Sequence, residues 1–158
     1  MKHATSSSHF TNRENVPDSF GPPLIGALLR IPLQSVQQRM LDRLRERGFD
    51  DIDAAHMNVF QYPGPQGAKP SELAARLRVT KQALNYLLGE LERLGYVERR
   101  PHPDDLRSKR VALTPRGTAM VGVMRDAVAE MEAEWSERLG TERFAELRGL
   151  LIDLNELT

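Results

Sequence analysis

The 158-residue chain has no cysteine, a single tryptophan and no net charge. Without thiols it cannot build a disulfide scaffold, a thiolate zinc module or a sensor that works by cysteine oxidation. No apolar run approaches the roughly 18 residues that a membrane helix needs. The first ten residues, MKHATSSSHF, lack the apolar stretch of a secretory signal, which predicts a cytoplasmic protein with no membrane contact. The four histidines, His3, His9, His56 and His102, are too scattered for a local ligand pair, so neither a metal nor another cofactor is expected. A Gly-rich phosphate loop, a GxSxG elbow and a nucleophile with a neighbouring base are all missing, and an enzyme is not expected. At this length the chain forms one domain, or one compact unit with an appendage, and buries about two-thirds of its unfolded surface.

The neutral total hides a segregated distribution. Residues 1–68 carry 7 basic and 7 acidic side chains, residues 69–116 carry 11 and 6, and residues 117–158 carry 4 and 9. A basic middle beside an acidic tail is the field that a phosphate-binding surface needs.

Residues 1–20 are polar, Ser-rich and aperiodic, which predicts a disordered tail. From Pro22 to about Arg47, Leu24, Leu28, Leu29, Leu33, Val36, Met40 and Leu44 recur at helical spacing, with Gly48 suited to close the helix. Pro32 predicts a kink or a fresh start within it. A second helix is expected over about Asp53–Tyr62, ended by Pro63-Gly64-Pro65, and a short third one over Pro70–Leu77. The fourth starts at Thr80 as N-cap and ends at Gly95. Val97–Arg100 and Ser108–Leu113 predict two short strands around a seven-residue loop, with Val111 and Leu113 alternating against Arg110 and Ala112. Thr114-Pro115 opens a long helix to about Leu139, Gly140-Thr141 breaks and recaps, and a last helix carries Phe144, Leu147, Leu150, Leu151 and Leu154.

The fold class expected is mainly α with a small antiparallel β wing: a winged helix-turn-helix lobe with a helical dimerisation region. The divisions are a tail at 1–20, an N-terminal dimerisation helix at 21–48, the DNA-binding lobe at 49–116 and C-terminal dimerisation helices at 117–158. The long helices carry more apolar surface than a small lobe can cover, and symmetric pairing is the usual way to bury it. Met124, Met131 and Trp135 belong to such packing rather than to a cofactor box.

On the fourth helix Leu84, Leu87, Leu88, Leu91 and Leu94 form one face. The other carries Thr80, Lys81, Gln82, Asn85 and Tyr86 where an ordinary solvated face is rich in Glu and Lys. Gln and Asn can pair in two-pronged fashion with adenine in the major groove, which the N-terminal half of a recognition helix reaches. In the wing, Arg107 near the tip has the reach and flat guanidinium to enter a minor groove, Asp105 braces it, and Lys109 and Arg110 add charge. Lys69, Arg93 and Arg99 are the candidates for phosphate contact. The bland alternative for these residues is a polar surface helix beside a capped turn.

The stretches Ser71-Glu72-Leu73-Ala74, Thr80-Lys81-Gln82-Ala83 and Leu91 to Arg99 resemble the MarR family of bacterial transcription factors. The strongest is Asp105-Leu106-Arg107-Ser108-Lys109-Arg110-Val111-Ala112-Leu113-Thr114-Pro115-Arg116-Gly117, similar to the family's wing pattern of Asp-x-Arg, a basic pair, an apolar strand and Leu-Thr-x-x-Gly. The similarity covers roughly residues 22–155. It implies a homodimeric repressor whose first and last helices interlock and whose two lobes read a pseudo-palindrome in double-stranded DNA. Two positions depart from the pattern: Lys69 stands where relatives place a Thr or Ser cap, and Leu106 where many carry Arg. The resemblance also implies release by a small aromatic effector, for which Leu33, Gln37, His56, Met57, Phe60 and Tyr62 are candidate cleft residues. The same spacing suits plain core packing. Two other classes fit the scaffold, a winged-helix protein-interaction module and a sequence-indifferent architectural DNA binder. The basic, amide-bearing surface argues against the first, and Gln82 with Asn85 against the second.

Overall fold

The computed structural model describes residues 22–60, 65–102 and 105–157, with side chains for all of these but 102 and 105–108. The expected tail at 1–20 lies outside the described residues. Six helices and one hairpin follow in the order α1 (Ile25–Glu46), α2 (Ala54–Val59), α3 (Pro70–Arg76), α4 (Lys81–Arg93), β1 (Val97–His102), β2 (Asp105–Leu113), α5 (Pro115–Leu139) and α6 (Thr141–Glu156). The molecule is thus mainly helical with a small antiparallel wing. No helix among the described residues is long and apolar enough to cross a membrane.

The helix ends explain the connections. After α1 the Gly48 N–H bonds Arg45 O and the Phe49 N–H bonds Leu44 O, with Gly48 at φ 79°. The same paired closure ends α4, where Gly95 (φ 80°) bonds Glu92 O and Tyr96 bonds Leu91 O. It recurs after α3, but there the left-handed residue is Arg78, at φ 53°, with Val79 reaching back to Ala74 O. This closure satisfies carbonyls left free at a helix end and turns the chain sharply. After α3 it makes the turn that aims α4.

Several boundaries differ from those expected. α1 starts at Ile25, so Pro22 and Pro23 stand before it rather than in its first turn, and it runs through Pro32 without a fresh start. α2 ends at Val59 instead of Tyr62, and residues 61–64 lie outside the described ones. The hairpin is longer than predicted: Val97 pairs with Leu113, Pro101 with Lys109 and, past a bulge, His102 with Asp105. Ala112 is buried beside Val111, against the simple alternation. Gly67 and Ala68 bond Val111 on the free edge of β2, so the wing base is held from both sides. Gly140, not Thr141, occupies the cap position of α6.

Leu44, Met57, Leu84, Leu88, Leu91, Tyr96, Val111 and Met120 are fully inaccessible and join α1, α2, α4, the wing and α5 in one core. Arg39 forms a two-pronged pair with Glu134 at 2.9 and 3.1 Å, and Arg43 reaches Glu130, so α1 and α5 are also laced by charge. Met124 and Met131 are buried within the single chain, and Trp135 packs edge-on against Phe144 of α6. By contrast α6 has no buried residue, and Leu147, Leu150, Ile152 and Leu157 stay exposed along with Leu24, Ile25, Leu28 and Ile31 at the start of α1.

Tyr96 ties the wing to α5. Its ring lies 4.6 Å beneath the Arg116 guanidinium, and its hydroxyl donates to Asp51 while Arg116 donates to it at 3.0 Å. Burial first, and the hydrogen bond to Asp51 second, push this hydroxyl above the ordinary tyrosine range. A raised acid favours the protonated fold. Its contribution is complete below the unfolded value of about 10 and is lost as pH rises through the folded value. Denaturant titrations at increasing alkalinity are therefore expected to show wild type losing stability above about pH 10, and Tyr96→Phe losing less over that range. Near neutrality Tyr96→Phe is expected to be less stable by about 1–2 kcal/mol, because Asp51 loses a partner.

Candidate nucleic-acid interface

The interface is built on α4. Thr80 caps it, its Oγ1 accepting from Ala83 N at 3.1 Å, and the buried Leu84, Leu88 and Leu91 hold one face against the core. That leaves Lys81, Gln82, Asn85, Tyr86, Gly89 and Arg93 exposed. Tyr86 is 67% exposed, and its hydroxyl donates to Glu90 Oε1 at 3.2 Å. The hydrogen bond to that carboxylate and the nearby negative charge push the Tyr86 hydroxyl up, so it remains a donor. Thr80, Gln82, Ala83, Tyr86 and Leu87 together line a shallow surface depression.

The cations proposed for phosphate contact are not equivalent. Arg93 is exposed at the end of α4, whereas Arg99 forms an ion pair with Glu92 at 3.2 Å. Lys69 is half-buried at the N-cap of α3, where its backbone N–H donates to Glu72 Oε2 at 3.1 Å. That bond is the half of a capping box that the third helical residue makes; the half in which a Thr or Ser side chain accepts a backbone N–H is not made by Lys69. In the wing Lys109 is exposed and Arg110 half-buried beside Gly67. The side chains of Asp105 and Arg107 lie outside the described residues, and so does the brace expected between them.

A second feature lies behind the wing. A cleft of about 500 Å³ opens between α1, α5, the wing base and α6. Leu33 and Phe60 line it with Val36, Met40, Val121, Met124 and Val128, and Arg125, Glu132, Arg148 and Gln66 supply its polar groups. Of the other cleft candidates, Gln37 and Met57 are not among its lining, and Met57 is fully buried in the core. His56 also lies elsewhere, between Asp53 and Glu90, because it is drawn into the α2 cap. Tyr62 lies outside the described residues. Sequence reasoning missed Arg125, Arg148 and Gln66. Arg148 reaches the cleft only because α6 folds back on α5, where it pairs with Glu132, and no local pattern signals that. Gln66 shares the cleft with Leu113 and also accepts from the Leu113 N–H at 2.6 Å. Among the described residues no group of three or more His, Asp or Glu side chains could hold a metal ion.

Comparison with known proteins agrees with this architecture. Residues 61–108 match the model of the MarR family. The chain is 28% identical over 147 residues to the HTH-type transcriptional regulator PecS of Dickeya dadantii, covering 88% of this chain and 85% of that one. It is 30% identical over 84 residues to the uncharacterized HTH-type transcriptional regulator YkoM of Bacillus subtilis, and that match spans about half of either protein (53%). Among solved structures, Streptococcus pneumoniae FabT in complex with DNA superposes with a TM-score of 0.71 at 25% identity, over 84% of this chain and 94% of that one. The matched sequences and the shared arrangement of helices and wing make the chain similar to the MarR family of winged helix-turn-helix transcriptional regulators.

Proposed function

We propose that the protein is a sequence-specific DNA-binding regulator, a repressor, that reads a pseudo-palindromic operator as a homodimer. The observation that carries this reading is the exposed face of α4, where Lys81, Gln82, Asn85 and Tyr86 face solvent and the neighbouring hairpin is basic. In this reading that face enters the major groove and Arg107 of the wing the minor groove, with Lys109, Arg110, Lys69 and Arg93 near phosphates. Arg99 contributes less because Glu92 already neutralises it. The exposed apolar residues of α6 and of the first turns of α1 support pairing of two chains through 21–48 and 117–158, around the DNA-binding lobe at 49–116. The apolar cleft with Arg125 and Arg148 suits a small aromatic effector carrying an anionic group, which would act next to the wing base.

The test is binding of the purified protein to fragments of its own genome at several salt concentrations, for wild type and Arg107→Ala. We expect a short palindromic site, affinity that falls steeply with salt, a weaker Arg107→Ala complex, and release by aromatic carboxylates in the same assay. Uniform weak binding to every fragment would indicate an architectural binder. No binding at low salt would favour a protein-interaction module.

A further inference from the structure

The free edge of β2 is covered by residues 65–68. Val111 turns both its backbone groups away from β1 and bonds Gly67 and Ala68 there, at 2.8 and 2.9 Å. Leu113, two residues on, aims its N–H at the same edge, as alternate residues of a strand do. By then the covering chain has turned, with the Ala68 N–H donating to Pro65 O at 3.0 Å. A side chain supplies the acceptor instead: Gln66 Oε1 lies 2.6 Å from Leu113 N. The outward N–H of the last wing residue before the α5 cap is therefore held by one amide. The same turn lies against a wing cation, Arg110, whose Nη1 is 4.0 Å from the place a Cβ on Gly67 would take.

That amide is also part of the cleft wall. Pro65, Gln66 and Leu113 line the cleft together with Arg125 and Arg148. Gln66 is exposed, so its amide can turn without disturbing the core. A primary amide has an acceptor at one end and two donors at the other. With Oε1 on Leu113, the Nε2 donors are the end that a carboxylate in the cleft would engage. Such a charge-assisted bond is about twice as strong as the neutral one to the Leu113 N–H, so the amide follows the ligand.

We propose that Gln66 is the positioning residue through which an anionic aromatic ligand in the cleft acts on the wing: the ligand draws the amide from the Leu113 N–H, and the freed wing base holds the operator less tightly. This deepens the effector and DNA-binding readings above and rests on them. The experiment uses the full-length protein with 1-naphthoate as the probe. Hydrogen exchange at the Leu113 amide is followed by NMR without DNA, with and without saturating probe, and operator affinity is measured under both conditions. In wild type the probe is expected to speed Leu113 exchange about ten-fold and to weaken operator binding about ten-fold. In Gln66→Ala, Leu113 is expected to exchange fast in both conditions, and the probe to change operator affinity by less than about two-fold. Gln66→Glu keeps the acceptor and lacks the Nε2 donors. There Leu113 is expected to stay protected in the presence of the probe, and release again to be lost. Leu113 exchange indifferent to bound 1-naphthoate in wild type, or release of Gln66→Ala equal to that of wild type, would overturn the proposal and leave both earlier readings standing. Failure of 1-naphthoate to bind wild type would overturn the effector reading and this proposal together. Absence of an operator would overturn the DNA-binding reading, and Leu113 exchange would still decide the link from cleft to wing.

Discussion

Gly117→Ala is expected to lower the unfolding free energy by about 3 kcal/mol and the melting midpoint by roughly 10 °C, measured by denaturant and thermal unfolding at fixed protein concentration. A methyl group at this position would sit 1.9 Å from the carbonyl oxygen of Tyr96 and 2.9 Å from its carbonyl carbon. Both are backbone atoms, so no rotamer change relieves the overlap. The Tyr96 carbonyl is not free to move either, because it accepts the Thr114 N–H at 3.1 Å, and Thr114 Oγ1 in turn donates to Gly95 O. Glycine at 117 therefore lets the first turn of α5 close onto the end of α4 and the start of the wing. The same geometry explains why no Glu or Gln stands at this third helical position to complete the cap that Thr114 begins. Gly122→Ala serves as the control. It also adds a methyl to α5, meets nothing within 4 Å, and is expected to be neutral or to stabilise by up to about 1 kcal/mol. Equal behaviour of the two variants would show that α5 does not close onto Tyr96.

Gln82→Ala and Asn85→Ala are each expected to weaken binding to the specific operator by about 1–3 kcal/mol, with little effect on binding to unrelated DNA. Both side chains are exposed on α4, away from the leucines that fix it, so their removal leaves the core untouched. Lys81→Ala is expected to behave differently, weakening all DNA to a similar degree and reducing the salt slope by about one. Competition titrations with specific and random duplexes separate the two patterns. A uniform loss for Gln82→Ala would assign that residue to the backbone of the DNA rather than to its bases.

The elements themselves were largely legible in the sequence. The leucine spacing of α4, the cap at Thr80 and the closing Gly95 act within one or two turns, and local rules describe them well. α1 and α5 were legible for the same reason. What escaped was set by distant contacts. α2 was expected to reach Tyr62 but ends at Val59, and His56, which the resemblance placed among the cleft candidates, is drawn into its N-terminal cap. The strands run further than their alternation suggested because β1 and β2 go on pairing through Pro101 and Lys109 and, past a bulge, through His102 and Asp105. The cleft was half legible: Leu33 and Phe60 belong to it, whereas Arg125 and Arg148 meet there through the return of α6. The turn after α3, between the helix ending at about Leu77 and the cap at Thr80, was legible even though its left-handed residue is Arg78 rather than glycine.

The anchoring of the wing base has a mechanical consequence. Leu113 bonds Gln66, Thr114 bonds Gly95 and Tyr96, and Gly117 packs against the Tyr96 carbonyl, so that hairpin and α5 share a rigid joint. At the other end, Arg39 and Arg43 lash α5 to α1. α5 is thus a lever of 25 residues, about 37 Å long at helical rise, with its load at one tip and its fulcrum near the other. Tilting it by about 5° about those contacts, about 25 Å from the wing end, displaces that end by roughly 2 Å, more than half the spacing of one base pair along a strand. In a paired regulator, a change too small to disturb the core would then put the two wings out of step with the helical repeat of the DNA.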